Sequence, residues 1–173
     1  AQAEHDPMAC VVCVVLDDRQ GGAIERELAL RSANLPRGDI IRQALSSSGA
    51  VLVAGSLADA VDFAGEYAPE HLLLAMRDAE ATLPQVRGAG TVFVGSTSSV
   101  AFRDYITGAN HVLPTGGTAR WASGLSPLDF IRWTTYQRVD DSPASALAPD
   151  VELLAQLEQL PNHGRAARSA GAA

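Results

Sequence analysis

"AVLVAGSLADAVDFAGEYAPEHLLLAMR", residues 50–77, is the stretch whose reading decides the fold. It opens on an unbroken apolar run and then turns at Gly55. Ser56 stands where a helix N-cap is wanted, and Asp59 follows three residues on. Apolar side chains recur at helical spacing until the chain meets Pro69. "HLLLAMR" then begins a second unbroken apolar run. Strands that read as continuous apolar stretches are covered on both faces, and a helix between two of them makes a parallel sheet.

The same alternation extends in both directions. Upstream, "ACVVCVVLDD" predicts a buried strand, "GGAIERELALRSANLP" a helix ending at Pro36, and "GDIIRQALSSSG" a second, shorter helix. Downstream, "DAEATLPQV" predicts a short helix, "GTVFVGS" a fourth strand, and "SSVAFRDYITG" a helix closed by Gly108. Residues 109–126 are rich in Gly, Pro, Thr and Ser and make a loop longer than most connections, a length usually kept for function. "LDFIRWTTYQRV" has the content of a strand or an extended arm. "DDSPASALAPD" reads as a linker, "VELLAQLEQL" as a short amphipathic helix, and "ARSAGAA" as a frayed end. The expected division is an α/β domain over residues 1–126 and an arm with a helical tail over 127–173.

Composition narrows the function classes. A chain of 173 residues is long enough for one domain with a real core. The net charge of −7 argues against a nucleic-acid partner, and no apolar run approaches the roughly 20 residues of a membrane helix. All 13 basic residues are Arg, which removes lysine bases and Schiff-base chemistry. Cys10 and Cys13 have the C-x-x-C spacing of a zinc or redox pair. Their Val- and Leu-rich surroundings instead predict a buried strand, where residues three apart face opposite ways, so both are expected as core thiols in a reducing compartment. The opening "AQAEHDP" has no charged-then-apolar leader, and a cytoplasmic setting is the expectation.

The polar constellations are individually weak. His5, His71, His111 and His163 lie in four different segments. Gln2 and His5 share a face if "AQAEH" ends a helix, and could then grip one metal or simply be two polar residues near a terminus. Asp104 fits a metal carboxylate, a surface charge or an ion-pair partner of Arg103. Glu158 and His163 could meet after a turn. Glu70 and His71 adjoin each other at the start of a strand, whereas parallel sheets place their sites at the carboxyl ends. No G-x-G-x-x-G turn and no G-x-S-x-G elbow occurs.

The ordered series "APEHL", "AGTVFVG", "DYITGANHVLPTGGTAR" and "LSPLDF" resembles the histidinol dehydrogenase family, with "GANHVLPT" the most distinctive element. "AQAEHDP" and "LEQLPNH" also resemble family segments. The resemblance spans nearly the whole chain but only the C-terminal part of a family member. It implies an incomplete Rossmann-like α/β architecture, a mostly parallel sheet with helices on both faces, followed by an extended arm and a small helical tail.

In function, the resemblance implies NAD-dependent oxidation of L-histidinol to L-histidine through the aldehyde, with one zinc ion holding the substrate. Gln2, His5, Asp104 and His163 are then zinc ligands, Glu70 and His71 the acid–base pair, Glu158 a substrate contact, and His111 part of the substrate pocket. The zinc ligands and His71 would also line the substrate. The resemblance further implies a homodimer whose tail residues complete the partner's site, and an NAD-binding part that lies upstream, without which the chain is not expected to turn over. Two departures stand out: Val100 replaces an acid, and Arg103 replaces a small residue beside Asp104. A cation there is expected to pair with the carboxylate and weaken its hold on zinc. A degenerate homologue serving as a metal-binding or assembly module is the alternative.

Overall fold

The computed structural model describes residues 1–170. Four short strands form two parallel pairs. In the first pair, β1 (Val11–Val15) runs beside β2 (Gly49–Val53), with Val11 opposite Gly49 and Val15 opposite Val53. In the second, β3 (His71–Leu74) runs beside β4 (Thr91–Val94), with His71 opposite Thr91. Parallel strands need a crossover. The first pair uses two helices, α1 (Asp18–Ser32) and α2 (Gly38–Ser48), both packed against it. The second uses a short helix, α4 (Ala79–Thr82), followed by a 3₁₀ turn over Leu83–Gln85.

Helix α3 (Leu57–Tyr67) links the two pairs, and its ends are set by local chemistry. Ser56 Oγ accepts the Asp59 N–H at 3.1 Å and donates to the Asp59 carboxylate at 2.8 Å, which closes the N-terminus reciprocally. At the other end Ala68 takes a left-handed conformation, φ 50°, and its N–H reaches the Ala64 carbonyl. Asp17 caps α1 in the same way as Ser56, by accepting from Arg19 N–H at 2.7 Å.

The α/β class and the parallel pairing are as the apolar runs predict. One expectation is corrected: the strands do not make one continuous sheet, since no ladder joins β2 to β3 among the described residues. An apolar run says that a strand is covered, but not which strand it bonds to. The cysteines also depart from expectation. Cys13 lies in β1 and is half-buried, but Cys10 precedes the strand and is exposed. There it accepts a hydrogen bond from Tyr67 Oη at 2.7 Å and donates to the Ser48 carbonyl at 3.2 Å. That bond pushes the Tyr67 phenol up to about 12.

Two compact units divide at Ser126–Pro127. The first carries the strands and a small core in which Ala3, Ile41 and Ala44 pack together. The last helix of this unit, α5 (Val100–Tyr105), is shorter than predicted: it ends at Ile106, before Gly108 is reached.

The second unit starts with a 3₁₀ turn, Pro127–Phe130, followed by residues 131–140, which form no helix or strand and expose Trp133 and Tyr136. The linker expected at 140–150 is instead helical: α6 spans Asp141–Leu157. Pro143 falls in its first turn, where N–H groups have no partner within the helix, and Pro149 interrupts the ladder without ending it. After α6, Gln159 adopts φ 62°, and the Leu160→Ala155 and Gln159→Gln156 backbone bonds close the helix. Helix α7 (Pro161–Ala170) then folds back on α6 through Gly164, which lies against Glu152. Residues 167–170 of the expected frayed end belong to α7, and 171–173 lie outside the described residues. No described helix is long and apolar enough to cross a membrane.

Candidate active site

Glu70 and His71 stand at the start of β3, beside β4, where Pro114 of the loop after α5 also approaches Gly90. The left-handed turn at Ala68 ends α3, and Pro69 directs the chain away. The β4 strand then fixes the segment through its backbone. Gly90 N–H donates to the Pro69 carbonyl at 2.9 Å, and Thr91 N–H donates to the Glu70 carbonyl at 2.9 Å. Gly90 has to be glycine: a Cβ there would stand 2.7 Å from the Glu70 carbonyl oxygen and 3.3 Å from Pro114 Cδ. Both Glu70 and His71 are half-buried, and the imidazole lies 5.7 Å from the Phe93 ring.

The environment holds His71 neutral. Burial pushes its pKa below 6.5, and the Arg103 and His5 charges act in the same direction, while the Glu70 and Asp104 carboxylates oppose them. A neutral imidazole beside a carboxylate can accept a proton from a bound hydroxyl group.

Arg103, on α5, is the other centre of the site. Only 5 % of it is exposed, although it carries a full charge. Its Nη1 donates to Asp104 Oδ1 at 2.9 Å and lies 3.5 Å from His71 Nε2. Its Nε and Nη2 are buried without a hydrogen-bond partner among the described residues. Beside it opens a cleft of about 350 Å³ lined by Thr91, Phe93, Ser99, Phe102, Arg103 and Thr107, among others.

Gln2 and His5 stand on a 3₁₀ turn, Gln2–Glu4, rather than at the end of an α-helix. Residues three apart eclipse in a 3₁₀ turn, so the two lie on one side. The turn is anchored by buried Ala3 and by Arg37, whose Nε donates to the Glu4 carbonyl at 2.8 Å and whose Nη2 reaches the His5 carbonyl at 3.4 Å. His5 itself is exposed, and it is the weakest of the influences on the His71 pKa. His111 is exposed on the long loop and does not line the cleft. Glu158 and His163 flank the α6–α7 turn in the second unit, both exposed.

The residues that sequence reasoning missed are positioning ones. Arg37 reaches across more than thirty positions of sequence, and nothing local signals that. Gly90 could have been found, because "GAG" directly before an apolar strand marks a close backbone approach. Asn110 also shapes the loop: its side chain accepts the Val112 N–H at 2.9 Å and donates to the Val112 and Leu125 carbonyls.

Among the described residues no three His, Cys, Asp or Glu side chains are grouped to hold a metal ion. The carboxylate expected to ligate zinc, Asp104, is instead engaged by a buried guanidinium. Asp104, paired in this way, does not fit the role of a zinc ligand.

The comparisons decide the family. The histidinol dehydrogenase family model matches residues 1–170. The chain belongs to the histidinol dehydrogenase family. It is 44 % identical over 170 residues to histidinol dehydrogenase of Methanopyrus kandleri and 48 % identical over 164 residues to that of Halobacterium salinarum. These matches cover 98 % and 94 % of the chain, and 39 % of each relative. The crystal structure of histidinol dehydrogenase from Elizabethkingia anophelis superposes with a TM-score of 0.83 at 34 % identity, covering 97 % of this chain and 39 % of that one. The chain thus spans about two fifths of the length of the curated relatives it matches.

Two outcomes are expected. Gly90→Ala forces the Glu70 carbonyl to move and should lower the urea-unfolding free energy by about 1–3 kcal/mol, the usual range for overpacking. Unchanged stability would show that β4 does not pin this segment. His71 has a folded-state pKa below its unfolded value of 6.5, so the stability it contributes is present above about pH 6.5 and is lost as pH falls through the lowered value. Stability should therefore decline more steeply below pH 6.5 in the native chain than in His71→Asn, measured by urea midpoints from pH 7.5 down to pH 5.

Proposed function

We propose that this chain is the substrate-side portion of a histidinol dehydrogenase, and that Glu70 and His71 handle the protons as L-histidinol is oxidised to L-histidine through the aldehyde. The observation that carries this is the pinned, half-buried Glu70–His71 pair, whose imidazole is held neutral beside a carboxylate. In the first oxidation His71 takes the hydroxyl proton as the carbinol carbon gives up hydride. In the second, the aldehyde must gain water before it can lose another hydride, and Glu70 is the base placed to activate that water.

The hydride acceptor expected from the family is NAD. No glycine-rich turn of dinucleotide-binding spacing leads from a strand to a helix among the described residues. We assign its binding to a longer polypeptide or to another chain. We also propose that His111 faces the substrate in the assembled enzyme, and that Glu158 and His163 complete the site of a second copy in a homodimer. A cytoplasmic setting suits the two unpaired thiols, Cys10 and Cys13.

A second reading, a non-catalytic homologue that keeps the fold as an assembly module, is favoured by one observation, the Arg103–Asp104 pair. Turnover separates the two. In the full polypeptide of the reading frame, NADH formation from L-histidinol should fall by about 10²–10⁴-fold in kcat for His71→Asn and for Glu70→Gln, the usual worth of a general base. Native-like turnover in both variants contradicts the proton-handling assignment. No turnover in the native polypeptide establishes the second reading instead.

A further inference from the structure

Arg103 and Asp104 are consecutive residues of α5, and consecutive helical side chains do not face each other. Nη1 nevertheless reaches Oδ1 at 2.9 Å, and 95 % of Arg103 is shielded from water. Nothing about helix geometry supplies this contact. The same Nη1 stands 3.5 Å from His71 Nε2, so the guanidinium lies at the point where an imidazole nitrogen and a carboxylate oxygen converge. Those are the two donor types that hold a divalent cation. Two further guanidinium nitrogens, Nε and Nη2, are buried without partners among the described residues. Burying such groups is costly, and native structures seldom tolerate it without a function.

A guanidinium stays charged at any accessible pH and cannot be deprotonated to admit a metal. A divalent ion on Asp104 would have to approach a fixed cation already in contact with that carboxylate, in surroundings that screen charge poorly. We propose that Arg103 is the resident cation of this site: it holds Asp104 and faces His71, so that Asp104 does not ligate a divalent ion in this chain. The inference needs neither substrate turnover nor the assignment of Glu70 and His71, and its readout is metal affinity alone.

The test is zinc titration by isothermal calorimetry on the full chain and three variants: Asp104→Asn, Arg103→Met and the double variant. Met keeps the buried volume and removes the charge. Asp104→Asn alone should change native zinc affinity less than twofold, because its carboxylate is not a ligand. Arg103→Met should bind zinc at least tenfold tighter than the native chain, and adding Asp104→Asn should abolish that gain. The proposal is overturned if Asp104→Asn weakens native zinc binding tenfold or more, or if Arg103→Met shows no gain that depends on Asp104. The first of these criteria needs no change at Arg103, so it stands even if Arg103→Met does not fold.

Discussion

The two backbone hydrogen bonds that β4 makes to Pro69 and Glu70 hold the rest of the candidate site in place. They form only because Gly90 has no Cβ, since any side chain there would meet the Glu70 carbonyl oxygen. With that approach made, His71 becomes the first residue of β3 and its ring is set against Phe93. The strain of a left-handed alanine at position 68 is accepted at the same point, and it turns the chain sharply from α3 into β3. A pair of ionisable groups at the start of a strand, the less usual end for a site in a parallel sheet, is positioned by close packing of main chain on main chain.

The charges around this point favour a neutral His71 and pair Asp104 with a cation. Burial is the largest influence on the imidazole, and the neighbouring cations and anions oppose one another. The guanidinium of Arg103 serves both groups, as a repulsive charge toward His71 and as a hydrogen-bonded partner for Asp104. Removing one member of such a buried pair leaves the other uncompensated, while neutral residues of similar size often cost nothing. This chain thus carries an organic cation in contact with a carboxylate that the family resemblance implies as a metal ligand.

What could be read from the sequence follows a clear physical division. The four strands, the Ser56 cap and the helices between them were legible because apolar periodicity and capping are local signals. Strand pairing was not, because it is decided across the chain, and the result is two pairs rather than one sheet. The segment 140–150 was misread as a linker because two prolines look like breakers, although Pro143 stands in the first turn, where a proline costs least. Cys10 was misplaced because it borders the strand instead of lying in it. In the site, the cation beside Asp104 was visible in the string "FRDY", but not its burial or its reach to His71, which depend on β3. The Arg37 anchor of the Gln2–His5 turn was invisible for the same reason.

The most direct measurement is a crystal structure of the full polypeptide grown with L-histidinol and zinc, with anomalous data collected at the zinc edge. Arg103 Nη1 should still be bonded to Asp104, with no anomalous peak at Asp104 and the substrate hydroxyl within hydrogen-bond reach of His71. A zinc peak on Asp104 with the Arg103 side chain swung out of the site would contradict this account.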